Sequence, residues 1–142
     1  MMSNAYLLDT DICIHFLQGK YKLAQKIAAI EKDNCYISEI TIAELLFGAE
    51  NSDNPEKHRS EIEVIEAHFK IVPIYPVLSI YAREKARLRK LGTPLPDFDV
   101  LIGATGLFHG MTIVTGNTKH FKRIEELSIE NWTVAQNNEY LR

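Results

Sequence analysis

Short apolar runs alternate with stretches of helical periodicity from one end of the chain to the other. The runs that predict strands lie at residues 6–8, 35–37, 71–74, 111–115 and 132–134. An amphipathic stretch separates each run from the next, and helical crossovers of this kind join parallel strands. The alternation therefore predicts an α/β fold over residues 1–142, with one mostly parallel, five-stranded sheet, helices on both faces and a single domain.

Residues that favour helix ends bound the helical stretches. The first predicted helix begins at Asp11, the second covers residues 22–31, the third begins at Ser38 or Thr41, and the fourth begins at Pro55. The fifth covers residues 77–91, the sixth begins at Asp97 or Asp99 and ends at residue 107, and the seventh covers residues 120–126. Gly92 and Gly110 follow two of these stretches, as glycine does where a helix ends.

Composition indicates the cellular compartment in which we expect the protein. No apolar run approaches the roughly 18 residues that a membrane-spanning helix needs, and residues 1–8 lack the basic region of a signal peptide. Cys13 and Cys35 form no CxxC pair and are predicted to be buried and reduced. We therefore expect a cytoplasmic protein without a membrane anchor.

Acids and hydroxyls follow the predicted strands on one edge of the sheet. They are Asp9, Thr10 and Asp11 after the first strand, Ser38, Thr41 and Glu44 after the second, Thr115 and Asn117 after the fourth, and Asp97 and Asp99 at the start of the helix before it. Ligands of open parallel sheets bind at the carboxyl ends of the strands. A Gly-rich phosphate loop is absent from the sequence, which argues against a dinucleotide or P-loop nucleotide.

Several carboxylates in one cleft can all stay ionised only if cations join them; otherwise their pKa values shift and they hold protons. Oxygen ligands without Cys or His suit Mg²⁺ or Mn²⁺, and such a cluster can activate water for attack on phosphorus. The alternative is structural: Asp11 and Asp97 as helix caps, Thr41 and Glu44 as a capping box, and Asn117 in an Asx turn. Asp9 fits this alternative least, because it ends an apolar strand. The five histidines show no metal-site spacing.

The formal net charge of −3 is unlike that of a sequence-independent nucleic-acid binder. Basic residues are nevertheless concentrated locally. Arg83, Arg87 and Lys90 share one helix face, and Lys119 follows Asn117. A charged stripe is usually a solvated face, but this one precedes the loop with Asp97 and Asp99, so we consider these four residues candidates for contacting an RNA backbone.

Four segments together resemble one family. YLLDTDICI, ISEITIAELLFGA, PDFDVLIGATGL and TIVTGNTKHFKRI, with ENW close behind, are similar to the motifs of PIN-domain proteins, and more narrowly of the VapC toxins of type II toxin–antitoxin modules. The resemblance covers almost the whole chain in order. Each motif alone is weak, and the four in order are specific.

The resemblance implies a Mg²⁺-dependent endoribonuclease, with Mn²⁺ as a substitute, that cleaves a structured RNA such as initiator tRNA to a 5′-phosphate and a 3′-hydroxyl. Asp9, Glu44 and Asp99 match the family's acids, Asp97 an additional acid, Asn117 an Asp or Asn position, and Thr115 the Thr that ends the fourth strand. The family also implies a cognate antitoxin and a homodimer, for which Leu46 and Phe47 are a candidate surface.

Two positions depart from the family pattern. Asp11 stands where the toxins usually have Asn, and adds a charge beside Asp9. Gly103 stands where Ala is commoner, at a cost of up to ~1 kcal/mol in helix propensity unless close packing needs it.

Two other functions remain open to the sequence. Asp9, Thr10 and Asp11 after a strand are similar to the nucleophile loop of haloacid-dehalogenase-type phosphohydrolases, although Asp97 and Asp99 open a helix instead of following a later strand. A receiver domain fits less well, because no acid follows the third strand. A non-catalytic protein that binds RNA or antitoxin would use the same acids as helix caps.

Overall fold

The computed structural model describes residues 4–133 and contains one five-stranded sheet. Its strands are β1 (Tyr6–Leu8), β2 (Cys35–Ser38), β3 (Lys70–Val72), β4 (Thr112–Val114) and β5 (Ile129–Glu130). The strand order is β3-β2-β1-β4-β5, and all neighbouring strands are parallel. The predicted fold class is therefore confirmed, and β1 lies at the centre of the sheet.

Helices connect the strands. They are α1 (Thr10–Leu17), α2 (Leu23–Ile30), α3 (Glu39–Glu50), α4 (Pro55–His68), α5 (Leu78–Lys90), α6 (Asp97–His109) and α7 (Thr118–Phe121). A turn of 3₁₀ helix, Tyr75–Val77, leads into α5.

The helices cover both faces of the sheet because strand side chains alternate. Leu8 and its neighbours pack against α1 to α4 in one apolar cluster, which also contains Cys13 and Cys35. Leu7 packs with α5, α6 and α7 in the other cluster. Both cysteines are buried and free, as predicted. Among residues 4–133, no helix is long and apolar enough to cross a membrane.

The helix starts differ from the predictions in ways that bear on the acids. Asp9, and not Asp11, is the N-cap of α1, because the chain turns into the helix directly after β1. Ser38 is the N-cap of α3, so Glu44 lies one turn too far inside the helix for the predicted capping box. Asp97 lies in the first turn of α6 after Pro96, and is not its cap.

The end of the chain corrects two further predictions. The helix predicted at residues 120–126 is the shorter α7, which begins at Thr118. The last strand is β5, which pairs with β4 through Ile129 and Glu130. Trp132 is buried in the core, and its apolar character reflects that burial instead of a strand. Val134, the end of the predicted strand, lies outside the described residues.

Candidate active site

Asp9 stands where β1 ends and α1 begins, and its side chain is held from two sides. Asp9 Oδ1 accepts a hydrogen bond from the backbone N–H of Thr10 at 2.8 Å. Asp9 Oδ2 accepts one from Thr115 Oγ1, also at 2.8 Å, at the end of the neighbouring β4. Only 8% of Asp9 is exposed. The two central strands therefore fix this carboxylate at the carboxyl edge of the sheet.

The surroundings of Asp9 disfavour its charged form. Burial, and then the charge of Asp11, raise the pKa of Asp9 to about 7, and Asp99 contributes in the same direction. The hydrogen bonds from Thr115 and Thr10 act against this rise but do not cancel it. Near neutral pH the Asp9 carboxyl of the metal-free chain is thus partly protonated. A cation placed beside it would restore the charge.

Glu44 reaches the same edge from α3. Its Oε1 accepts a hydrogen bond from Thr10 Oγ1 at 2.5 Å, and Thr10 Oγ1 also lies 3.2 Å from Thr41 Oγ1. Thr10 follows Asp9 directly, so these contacts join the beginning of α1 to α3. The helix positions Glu44 beside the strand ends. Since Ser38 is the N-cap of α3, Glu44 lies too far along the helix to cap it.

Asp99 approaches from the first turn of α6 and meets a residue that the sequence analysis did not select. Its Oδ2 lies 2.7 Å from Nδ1 of His120 on α7. The same ring nitrogen lies 2.8 Å from the side-chain amide of Asn117. The i,i+3 spacing of Asn117 and His120 across the start of α7 indicates the contact between these two residues, but it does not indicate the contact of His120 with Asp99.

Asp11 is tied to the loop after β4. Its Oδ2 accepts a hydrogen bond from the backbone N–H of Gly116 at 2.9 Å, and a Cβ at Gly116 would stand 2.8 Å from that oxygen. Its Oδ1 is buried and has no hydrogen-bond partner within residues 4–133. An unpartnered buried carboxylate oxygen next to Asp9 leaves a position that a cation or a water can satisfy.

Asp97 has a different environment from the other acids. Its Oδ1 accepts a hydrogen bond from Tyr81 at 2.9 Å and forms an ion pair with Lys85 Nζ at 2.8 Å. The hydrogen bond from Lys85, followed by that from Tyr81, lowers the pKa of Asp97. Its side chain is 53% exposed. The structure thus joins Asp97 to α5, whereas Asp11 and Asp99 lie close enough to Asp9 to raise its pKa.

Thr115 and Asn117 form the turn that follows β4. Thr115 is fully buried, donates its hydroxyl to Asp9 and accepts the backbone N–H of Asn117 at 2.9 Å. Asn117 itself is exposed, at the start of α7. This turn places both predicted residues at the same edge as Asp9.

The donor set fits a hard divalent cation, although its side chains are turned to protein partners. In the part of the chain that the structure describes, no three His, Cys, Asp or Glu side chains are arranged to hold a metal ion together. The carboxylates instead accept hydrogen bonds from Thr10, Thr115, Gly116 and His120. Oxygen ligands, the raised pKa of Asp9 and the unpartnered Asp11 Oδ1 are what Mg²⁺ or Mn²⁺ would satisfy.

The four basic candidates do not share one environment. Arg83 and Lys90 on α5, and Lys119 on α7, are exposed. Arg87 is held instead: its guanidinium binds Glu84 at 2.8 Å and the backbone oxygen of Arg123 at 2.9 Å. The side chain of Arg87 thus links α5 to the segment after α7.

Comparison with known proteins gives consistent matches along the chain. The family model described as PIN domain matches residues 6–127. The tRNA(fMet)-specific endonuclease VapC of Shigella flexneri is 30% identical over 129 residues, which are 90% of this chain and 98% of that protein. Ribonuclease VapC1 of Haemophilus influenzae is 32% identical over 133 residues, again 90% of this chain and 98% of that protein.

Solved structures agree with these matches. VapBC2 from Rickettsia felis, bound to a DNA fragment from its promoter, superimposes with a TM-score of 0.82 at 27% identity, over 90% of this chain and 98% of that chain. VapBC from Salmonella typhimurium, also bound to DNA, gives the same TM-score, identity and coverage.

Proposed function

The chain belongs to the PIN domain family and, within it, to the VapC ribonucleases, and from this premise we propose that it is the Mg²⁺-dependent endoribonuclease toxin of a type II toxin–antitoxin module. Its proposed substrate is tRNA, and among tRNAs the initiator tRNA, which the name of the Shigella relative specifies. We propose that it acts in the cytoplasm, and that Mn²⁺ can replace Mg²⁺.

One observation about charge carries this proposal. Asp9, Asp11, Asp99 and Glu44 come together at the sheet edge, and no Lys or Arg side chain of the described residues forms an ion pair with any of them. Asp97 shows the contrast, because Lys85 neutralises it. The consequence falls on Asp9: burial and the charges of Asp11 and Asp99 raise its pKa to about 7, and a bound cation would keep this carboxylate ionised.

The acids have distinct proposed roles. Asp9 and Asp99 would hold the cation directly, and Asp97 or Asn117 would hold it through water, with Asp11 adding charge beside Asp9. A divalent cation at such a site neutralises charge on the phosphate and favours ionisation of water. Glu44 orients the attacking water and accepts its proton, while Thr10 and Thr115 keep Glu44 and Asp9 in place through their hydroxyls.

The RNA backbone is proposed to follow basic residues of α5 and α7. Arg83, Lys90 and Lys119 are exposed and available to phosphates. Arg87 has part of its hydrogen-bonding capacity committed to Glu84, and would contact RNA from that fixed position.

An antitoxin is the proposed protein partner, since the similar solved structures are complexes named VapBC. A groove of about 330 Å³ beside Glu44 offers it an apolar surface, formed by Ile14, Leu17, Leu45 and Ile62 from α1, α3 and α4. We propose that an antitoxin segment lies there and directs a basic residue toward the acids, which would block the RNA site.

A homodimer is proposed through the exposed end of α3. Leu46 is 43% exposed and Phe47 is 70% exposed, which leaves a large apolar surface in contact with water in the monomer. Sedimentation at high concentration should give twice the monomer mass, and a lone monomer would contradict the dimer.

The ribonuclease proposal is tested with the purified chain, freed of antitoxin, on total tRNA with Mg²⁺. We expect discrete fragments with 5′-phosphates that disappear with EDTA and with Asp99→Asn. Asp53→Asn, which makes the same change in the exposed loop before α4, is the matched control and should cleave normally.

Three results would contradict the proposal. Fragments that persist in EDTA would contradict the metal dependence of the cleavage. Fragments that persist with Asp99→Asn would contradict the role assigned to Asp99. Intact RNA in every lane, with a folded chain and a set of structured RNAs beyond tRNA, would exclude the nuclease activity.

A further inference from the structure

We propose that His120 is a positioning residue, which holds the Asp99 carboxylate in the orientation in which Asp99 receives the divalent cation. The inference rests on the proposed function, because Asp99 is a metal ligand there. Its starting point is the 2.7 Å contact between His120 Nδ1 and Asp99 Oδ2. Side chains that hydrogen-bond to a metal ligand fix its orientation and so raise the affinity for the metal.

Within the described residues, the orientation of the Asp99 carboxylate depends on a single hydrogen bond, whereas that of Asp9 depends on two. Asp9 is held by two hydrogen bonds, one from a backbone N–H and one from Thr115. For Asp99, His120 is the one hydrogen-bond partner among residues 4–133. Without the ring, the Asp99 side chain would be free to turn about its bonds, and binding a cation would have to order it again.

His120 is itself held in place by the segment around it. Phe121, the next residue, is fully buried in the core. Arg123 donates from Nη1 to the backbone oxygen of Pro94 at 3.0 Å, which ties the segment after α7 to the loop before α6. The ring therefore keeps a defined position relative to Asp99, as an orienting group must.

The hydrogen-bond partners of His120 determine which of its ring nitrogens carries a proton. An ionised carboxylate only accepts hydrogen bonds, so Nδ1 of His120 carries the proton that it donates to Asp99. A nitrogen that donates cannot accept from the Asn117 amide group, so the amide oxygen of Asn117 must face the ring. One N–H thus orients two proposed site residues, and it leaves Oδ1 of Asp99 as the oxygen for the cation.

Two substitutions separate this role from a merely structural one. His120→Leu removes the donor but keeps the bulk. His120→Asn keeps a donor, because the amide nitrogen of Asn lies the same number of bonds from the backbone as Nδ1 does. His109→Leu, at the opposite end of α6, is the matched control. Thermal melts establish that each variant is folded.

Calorimetric titration with Mn²⁺ is the main measurement. We expect His120→Leu to bind Mn²⁺ about 10- to 100-fold more weakly, with His120→Asn and His109→Leu close to the unchanged chain. In RNA cleavage, His120→Leu should lower kcat and leave KM unchanged. Equal Mn²⁺ affinity for His120→Leu and the unchanged chain overturns the positioning role, as does an affinity of His120→Asn as low as that of His120→Leu.

A metal-free measurement keeps this inference distinct from the proposed function. Histidine ¹⁵N spectra should show a proton on Nδ1 of His120, with resonances that change in Asp99→Asn. An Nδ1 without a proton overturns the contact. An unchanged chain that binds no Mn²⁺ overturns the metal site and the positioning role together, whereas normal Mn²⁺ binding by both it and His120→Leu overturns the positioning role alone.

Discussion

The Asp9 carboxyl makes the stability of the metal-free chain depend on pH. Its pKa is raised from 3.8 in an ordinary aspartate to about 7 in the folded chain, mainly by burial and then by Asp11. Between these values the folded chain keeps a proton that the unfolded chain loses. The stabilisation from this proton is complete below pH 3.8, and it is lost as the pH rises through 7.

Replacing Asp9 by Asn should therefore stabilise the metal-free chain at pH 8, by up to about 4 kcal/mol, and change little near pH 4. Urea unfolding at both pH values measures the difference, and Mg²⁺ should stabilise the unchanged chain more than Asp9→Asn. Asp53→Asn should show neither effect. Equal stability of Asp9→Asn and the unchanged chain at pH 8 would count against the raised pKa.

How far single residues could be predicted depended on what marks them in a sequence. Asp9 and Thr115 could be placed because each follows a strand of a parallel sheet, and the structure joins them at 2.8 Å. His120 could not, because its contact with Asp99 requires the packing of α7 on α6. The ion pair of Asp97 with Lys85 has the same origin, since it joins two helices across a loop.

In α6, close packing limits which residue can stand at position 103 more than helix propensity does. A Cβ at Gly103 would lie 2.3 Å from Cδ1 of the buried Ile124, whereas one at Gly48 on α3 would meet nothing within 4 Å. This close approach accounts for the glycine at position 103, where the resemblance led us to expect Ala. The glycine allows the segment after α7, and with it His120, to pack closely on α6.

Opposite effects are expected from the same substitution in these two helices. Gly48→Ala should stabilise the chain by about 0.5–1 kcal/mol. Gly103→Ala should destabilise it by about 1–2 kcal/mol, because crowding outweighs the gain in propensity. Ile124→Val removes the crowding atom and should relieve part of the loss in the double variant. Denaturant unfolding compares the unchanged chain with the three single variants and the double variant, and a stabilising Gly103→Ala would contradict the close contact.

The positions of most strands and helices could be predicted from the pattern of apolar residues. β1, β2 and β4 were placed to within two residues, and α4 begins at the predicted Pro55. β5 has only two residues, which are too few to show alternation. Because Trp132 is buried and apolar, the strand was predicted a few residues too late in the chain. β3 ends before Pro73, which has no N–H for the sheet.

Charge across the entire chain sets how RNA can be bound. A net charge of −3 gives no general attraction to phosphates, so binding must come from local groups of basic residues. Arg83 and Lys90 on α5 and Lys119 on α7 are exposed. Lys32, also exposed, precedes β2 and so lies toward the opposite edge of the sheet, where the strands begin. Arg87 differs from all four because Glu84 already binds it.

Removing the three exposed cations together, as Arg83→Ala, Lys90→Ala and Lys119→Ala, should raise KM for RNA several-fold and leave kcat nearly unchanged. Each lost phosphate contact reduces the slope of log affinity against log salt by about 1, so the triple variant should reduce it by about 2 to 3. Lys32→Ala should change neither quantity. An unchanged salt slope in the triple variant would mean that the RNA backbone follows another surface, while the acids at the strand ends would keep their assignment because they act on the scissile phosphate alone.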